Sequence, residues 1–187
     1  MKRNEQPLVS LAVLNWNGLE DTKSCLVSLR ALNYPNIEII VVDNGSVDGS
    51  KDYFATLNDI VFVDLPYNTG FTGGHIAAEQ VAKGRYIGLI NNDLVIDSDW
   101  INECLATFDR NSKAAMVGGK TFKWNGDNPV YDVSNEFYSF QEVDIRTGNT
   151  RTLLVGDPVD QIADSFGNFF QKQNVFVRLS IHTKWDF

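Results

Sequence analysis

The chain has 187 residues, 43% of them hydrophobic, a length and composition typical of one globular domain, which excludes disordered and fibrous classes. No apolar run approaches the ~20 residues that a membrane helix needs, and the polar start MKRNEQP does not resemble a signal peptide, so we expect a cytoplasmic protein. The net charge of −8, without any Lys or Arg run, disfavours a nucleic-acid partner. A nucleotide remains acceptable where backbone amides or a divalent cation neutralise its phosphates.

Apolar runs and amphipathic segments alternate along the first two thirds of the chain. The run LVSLAVL ends at the polar turn NWNG, which predicts a strand over 8–14 that is covered on both faces. Residues 20–22 open a helix whose apolar face recurs at Cys25, Leu29 and Leu32. The same logic predicts strands at 37–42, 60–64, 86–90 and 115–117, and helices at 50–57, 72–83 and 98–108.

This alternation predicts an α/β fold with a mostly parallel, Rossmann-like sheet flanked by helices. After Gly118 the pattern changes, and the segments VYDVSNEFYSFQEVDI and TRTLLVG predict a C-terminal β-ribbon around a turn at 146–149. No internal repeat or linker is visible. We therefore expect a single domain over residues 1–187.

Four predicted strands end in clusters of polar and glycine residues. The carboxyl ends of parallel strands share one edge of a sheet, where ligands bind in open α/β folds. Each cluster alone is typical of a plain turn, but four at one edge favour a ligand cleft. The clusters are NWNG at 15–18, DNGSVD at 43–48, NTGFTGG at 68–74 and NND at 91–93.

The ordered segments VVDNGSVDGS, NTGFTGG and GRYIGLINND resemble the family 2 glycosyltransferases of the GT-A fold, and most of all their rhamnosyltransferase-type branch. The likeness covers 7–119, which it identifies as the nucleotide-sugar-binding half; 120–187 would be the acceptor-side half, expected to be incomplete. The resemblance implies inverting transfer of a sugar from a nucleoside diphosphate sugar to a hydroxyl acceptor, such as a growing polysaccharide or a lipid-linked glycan. The resemblance is also compatible with peripheral contact with a membrane.

The resemblance also implies a divalent cation, magnesium or manganese, at a DxD-like motif. Here the motif reads Asn91-Asn92-Asp93, so Asp93 is the expected metal ligand, and Asn92 and Asp93 are expected to bind the nucleotide sugar. A cation that bridges both phosphates stabilises the leaving group. The alternative for Asp93 is a helix cap, for which residues 97–99 are better placed.

Three further turns match nucleotide contacts of the family. Asp43 corresponds to an aspartate near the base and ribose, and its carboxylate can accept a hydrogen bond from a pyrimidine N–H or a ribose hydroxyl. Trp16 is expected to be a packed aromatic, with nucleobase stacking as the alternative. His75 is expected to be structural, with a diphosphate contact as the alternative. The other expected contacts are Asn15, Asn17, Asn44, Ser46, Asn68, Gly70, Gly73 and Gly74.

No general base for an inverting transfer is visible, so the catalytic residue is unassigned. The late carboxylates Asp160, Asp164 and Asp186 are each expected to be surface charge. The alternative function is therefore a nucleotide-sugar-binding module or a truncated transferase without its base. NAD binding is disfavoured because no GxGxxG motif follows the first strand, and a nucleotidyltransferase because no triphosphate loop does.

Overall fold

The computed structural model describes residues 6–110 continuously and, beyond them, residue 114 and the segments 116–118, 123–124, 129–130, 140–143, 150–153 and 175–178. Strands and helices alternate up to residue 110: β1 (Val9–Asn15), α1 (Leu19–Arg30), β2 (Ile37–Asn44), α2 (Ser50–Phe54), β3 (Val61–Leu65), α3 (Gly70–Val81), β4 (Tyr86–Asn91) and α4 (Trp100–Arg110). The later strands are β5 (Met116–Gly118), β6 (Lys123–Trp124), β7 (Pro129–Val130), β8 (Phe140–Val143), β9 (Thr150–Leu153) and β10 (Val175–Arg178).

The predicted alternation is confirmed, with element ends that differ by at most three residues. Helix α3 starts two residues early because Oδ1 of Asn68 accepts the Gly70 N–H at 2.7 Å. Helix α4 starts two residues late because the Asp97 carbonyl accepts the Trp100 N–H at 3.1 Å. Oδ1 of Asp97 also accepts the Asp99 N–H at 2.9 Å. Residues 97–99 therefore form the turn that leads into α4, and the Asp97 carbonyl accepts the first N–H of the helix.

The main sheet has the strand order β3-β2-β1-β4-β10-β5. Strands β1 to β4 are parallel, and β10 is antiparallel to both β4 and β5. This confirms the mostly parallel α/β sheet. Strands β8 and β9 pair antiparallel, which confirms the predicted ribbon, although its turn at 146–149 lies outside the described residues. Among the described helices, none is long and apolar enough to cross a bilayer.

Apolar side chains cover both faces of β1, as its continuous apolar run predicts. Alternate residues point to opposite faces, so Leu11 packs with the cluster that includes α1 and α4, whereas Ala12 packs with the cluster that includes α3. Cys25 and Cys104 are buried in the first cluster, and burial raises the pKa of each thiol to about 12. Both cysteines are thus uncharged core residues at neutral pH.

Two glycines between β2 and α2 take left-handed backbone angles, with φ of 76° at Gly45 and 87° at Gly49. At Gly45 a Cβ would lie 2.6 Å from the backbone of Tyr67, in the turn before α3. At Gly49 no atom lies within 4 Å of that position. The close approach at Gly45 therefore joins the turn after β2 to the turn after β3.

Gly45→Ala should lower the free energy of unfolding by about 2–5 kcal/mol, because left-handed strain adds to a backbone collision. Gly49→Ala is the matched control and should cost only the conformational part, about 1–2 kcal/mol. Denaturant unfolding of both variants and the unaltered chain measures the difference. Equal losses in the two variants would contradict the close approach at Gly45.

Candidate functional site

The predicted polar clusters meet at the carboxyl edge of the parallel strands. In the sheet register Asn15 of β1 lies opposite Asp43 of β2, and Leu14 lies opposite Asn91 of β4. Hydrogen bonds then join the ends of neighbouring elements, from Asn92 to Asn15 and from Asn15 to Asp43. The predicted convergence of the strand ends is confirmed. Hydrogen bonds connect the NWNG, DNGSVD and NND clusters, while the NTGFTGG cluster bonds to Asn44, the chain neighbour of Asp43.

The carboxylate of Asp43 lies at the centre of this network, and the residue is only 1% exposed. Oδ1 of Asp43 accepts from Nδ2 of Asn15 at 2.7 Å, and Oδ2 accepts from the Ser46 N–H at 3.0 Å. A buried carboxylate is tolerated only where donors surround it, and these two groups supply them. Because a carboxylate has about four acceptor sites, capacity remains for a ligand donor.

Ser46 and Asn17 hold the turns after β1 and β2 together. The Ser46 hydroxyl oxygen accepts from Nδ2 of Asn15 at 3.0 Å and from the Asn17 N–H at 2.9 Å. Oδ1 of Asn17 accepts the Val47 N–H at 2.8 Å. Asn17 has a φ of 52°, a left-handed angle that asparagine tolerates better than most residues. Both predicted residues thus brace the edge on which Asp43 lies.

Asn44 holds the turn that leads into α3, and it is only 2% exposed. Its Nδ2 donates to Oδ1 of Asn68 and to the Gly70 carbonyl, each at 3.1 Å. Its Oδ1 accepts from the Thr69 N–H at 2.8 Å and from the Thr69 hydroxyl at 3.0 Å. Both ends of this carboxamide are therefore engaged with the NTG turn.

The glycines of NTGFTGG bring α3 close to its neighbours. A Cβ at Gly74 would lie 2.2 Å from Cδ1 of Leu14 in β1, and one at Gly73 would lie 2.6 Å from the Thr69 hydroxyl. Gly74 thus sets the spacing between helix and strand. The first turn of α3 contains no acidic residue, so the positive end of the helix dipole is not neutralised there.

The turn after β4 contains the proposed metal ligand. Asp93 is exposed, and within the part of the chain that the structure describes its carboxylate makes no hydrogen bond or salt bridge. Beside it, Nδ2 of Asn92 lies 3.0 Å from the Thr22 hydroxyl and 3.3 Å from Oδ1 of Asn15. Over the described residues no cluster of three or more His, Cys, Asp or Glu side chains could hold a metal. A cation at Asp93 would need phosphate and water for its remaining ligands.

Three exposed apolar side chains rise from the turns at this edge: Trp16 is 57% exposed, Val47 91% and Tyr67 68%. The expectation of a packed Trp16 is wrong, because Asn15 is the last buried residue of β1 and Trp16 lies beyond the cover of the helices. Sequence analysis also missed Tyr67, although an aromatic directly before NTG is a visible signal. It missed the bridging role of Thr22, which is fully buried and donates to Oδ1 of Asn15 at 2.8 Å.

His75 lies on α3, only 7% exposed, with the Phe71 ring 4.4 Å away in an edge-on contact. Neither of its ring nitrogens has a hydrogen-bond partner among the described residues. Burial lowers its pKa to about 4, so the imidazole is neutral at pH 7. The late carboxylates Asp160, Asp164 and Asp186 lie outside the described residues.

Comparison with known proteins finds a matching family and related individual proteins. The sequence model of the family described as "Glycosyl transferase family 2" matches residues 10–175. A glucosyl-dolichyl phosphate glucuronosyltransferase of Haloferax volcanii is 24% identical over 86% of this chain and 50% of its own length. A putative glycosyltransferase of Bacillus subtilis is 34% identical over 55% of this chain and 31% of its own. The chain thus spans half or less of these relatives.

Two solved structures share the fold. TarS 1-349 of S. aureus, in complex with UDP-GlcNAc, has a TM-score of 0.56 at 20% identity, over 75% of this chain and 41% of its own. A mannosyltransferase from Pyrobaculum calidifontis, in complex with GDP-Man and Mn²⁺, has a TM-score of 0.54 at 19% identity, over 60% and 35%. At such identities the likeness concerns the fold, and it confirms the predicted GT-A class.

The buried His75 predicts a pH dependence of stability. The pKa of His75 is about 4 in the folded chain and 6.5 in an ordinary environment. With respect to this residue the folded chain is therefore fully stable above about pH 6.5, where His75 is neutral in both states, and loses stability as the pH falls towards 4. The free energy of unfolding should fall by about 3 kcal/mol across that window, at ~1.4 kcal/mol per pKa unit. His75→Gln should remove this component, as denaturant unfolding at several pH values measures. Parallel pH curves for the two proteins would contradict it.

Proposed function

The chain belongs to glycosyl transferase family 2, and we propose that it transfers a hexosyl or rhamnosyl unit, with inversion, from a nucleoside diphosphate sugar to an acceptor hydroxyl. The observation that carries this proposal is the juxtaposition of a hydrogen-bonded buried carboxylate, Asp43, with an unengaged exposed one, Asp93, along one sheet edge. The two solved neighbours are complexes with UDP-GlcNAc and GDP-Man, which supports a donor of this class. The rhamnosyltransferase branch remains part of the proposal.

The nucleoside end of the donor would lie over Asp43. One carboxylate oxygen there would accept from a base N–H or a ribose hydroxyl, while Asn15 and Ser46 hold the group in place. The exposed rings of Trp16 and Tyr67 flank this position on neighbouring turns and offer faces on which a nucleobase can stack. Asn17, Asn44 and Asn68 complete the proposed binding set as supports of those turns.

The diphosphate would lie between Asp93 and the start of α3. A single exposed carboxylate fits a divalent cation, magnesium or manganese, that takes its other ligands from phosphate and water. When bound, such a cation would supply Lewis-acid stabilisation of the departing diphosphate. Gly70 is exposed and leaves the backbone at the N-terminus of α3 accessible to an anion, while Gly73 and Gly74 support this turn through their close approach to Thr69 and Leu14. The cation in the Pyrobaculum complex supports this assignment.

The acceptor side of the reaction is proposed from the family alone. A glycan or lipid-linked acceptor would bind to the acceptor-side half at 120–187, while 7–119 bind the donor. The base that deprotonates the acceptor hydroxyl is unassigned, because Asp160, Asp164 and Asp186 lie outside the described residues. A cytoplasmic location and peripheral membrane contact stay part of the same proposal. The binding-module alternative is not favoured, since the relatives compared above are named as transferases.

The two carboxylates should have separable effects on nucleotide binding. Asp93→Ala should abolish the dependence of affinity on manganese, because Asp93 is the only acidic residue of its motif. Asp43→Ala should weaken binding about tenfold or more even without metal, since a hydrogen bond to a charged acceptor is lost. Calorimetry with UDP, dTDP and GDP, each with and without manganese, measures both effects.

Asp109→Ala, an exposed change at the end of α4, is the control and should leave both quantities as they are. If the unaltered chain binds none of the three nucleotides, the transferase proposal is wrong for this chain. Equal losses from Asp43→Ala and Asp93→Ala, with and without manganese, would contradict the division of roles.

A further inference from the structure

The amide of Asn92, the middle residue of the NND turn, is directed into the protein. Its Nδ2 lies 3.0 Å from the Thr22 hydroxyl oxygen, 3.3 Å from Oδ1 of Asn15 and 3.3 Å from the Gly18 carbonyl oxygen. These acceptors belong to the end of β1, the residue before α1 and the first turn of α1. The turn that follows β4 is thus attached to the neighbouring strand and helix through one carboxamide.

The surroundings of this amide require a hydrogen-bond donor. All three neighbours present oxygen, and Thr22 uses its own hydrogen to donate to Oδ1 of Asn15 at 2.8 Å. A Cβ at Gly18 would lie 2.4 Å from Nδ2 of Asn92, so the absence of a side chain at Gly18 leaves room for this amide. A carboxylate at position 92 would face the same oxygens without a proton to share.

The contacts continue from Asn92 to the proposed nucleoside carboxylate. Asn15 accepts from Asn92 through Oδ1 and donates through Nδ2 to Asp43 at 2.7 Å and to Ser46 at 3.0 Å. On the other side, Asp93 follows Asn92 directly in the chain. One chain of hydrogen bonds therefore joins the backbone turn of the proposed metal ligand to the carboxylate proposed for the nucleoside.

We propose that Asn92 is a positioning residue, which fixes Asp93 relative to Asp43 through Asn15 and Thr22 and is not itself a ligand of metal or donor. This inference rests on the proposed function and changes the role expected for Asn92 from direct contact to support. It also accounts for an amide within a motif whose metal chemistry favours carboxylates. The amide is needed for its hydrogens, whereas Asp93 supplies the charge.

Asn92→Asp distinguishes a positioning residue from a metal ligand, because the two roles predict opposite changes in manganese-dependent affinity. If Asn92 positions the turn, the new carboxylate faces three oxygens, and manganese-dependent affinity for the nucleoside diphosphate that the unaltered chain binds should fall about tenfold or more. The manganese concentration at half-maximal binding should rise as the affinity falls. If Asn92 were a metal ligand, an added carboxylate would strengthen both. Calorimetry with UDP, dTDP and GDP supplies the affinities, and Asn58→Asp, an exposed change of the same kind, is the control.

Thr22→Val provides a second, independent variant. Thr22 is fully buried and is not among the residues proposed to contact the donor, and its hydroxyl bridges Asn92 and Asn15. Its removal should also weaken nucleotide binding and raise the manganese midpoint. In the double variant the two losses should be smaller than their sum, because both changes break one network. A purely structural role would lower the melting temperature and leave the manganese midpoint of the folded protein in place.

The outcomes separate the two proposals. Suppose that the unaltered chain binds and that folded Asn92→Asp has an unchanged or tighter manganese-dependent affinity. That result overturns the positioning role and leaves the proposed function in place. If thermal melting shows that Asn92→Asp does not fold, the nucleotide affinity of Thr22→Val is the test. An unchanged affinity in that variant overturns the positioning role of Asn92. If neither variant folds, the amide serves folding and the proposal is wrong. If the unaltered chain binds no nucleoside diphosphate, the proposed function fails, and this inference fails with it.

Discussion

The hydrogen bond between Asn15 and the buried carboxylate of Asp43 is the contact on which the rest of this edge depends. A carboxylate that is 1% exposed needs donors, and the parallel register places Asn15 directly opposite it. The same Asn15 side chain accepts from Thr22 and Asn92, so the ends of β1, β2 and β4 and the start of α1 are joined through it. Loss of this amide would leave the buried Asp43 carboxylate with the Ser46 N–H as its donor and would remove an acceptor shared by Thr22 and Asn92.

Carboxamide side chains make most of the hydrogen bonds that hold the turns of this site, and the negative charge of the expected ligand gives the reason. A nucleoside diphosphate is an anion, and each additional carboxylate at this edge would repel it. Asn44 and Asn92 brace two turns with neutral groups: Asn44 both donates and accepts, and Asn92 donates, which no carboxylate can do. Among the acidic groups at this edge, Asp43 is covered by donors, Asp48 accepts from the Leu19 and Ser50 N–H groups, and Asp93 is exposed.

Several of the predicted site residues have a demonstrable supporting role in the structure. Asn44 uses both ends of its carboxamide on the turn before α3, and Gly74 lets α3 approach Leu14. Asn92 bonds to the start of α1. Such residues can matter as much to donor binding as those that touch the donor, because a turn displaced by even 1 Å weakens the contacts it carries. Motif membership alone does not distinguish the two kinds of residue.

The sequence by itself determined the alternation of strands and helices, the doubly covered β1 and the gathering of polar strand ends at one edge. These follow from local periodicity and from the rule that parallel strands end together. Only the tertiary structure decided which polar atoms pair. It placed Trp16 outside the core, gave Thr22 a bridging role and turned the amide of Asn92 inward. Hydrogen-bond partners such as Asn92 and Asn15 lie 77 residues apart in the chain, so no local pattern encodes their contact. The sheet register and the packing of α1 against β1 bring them together.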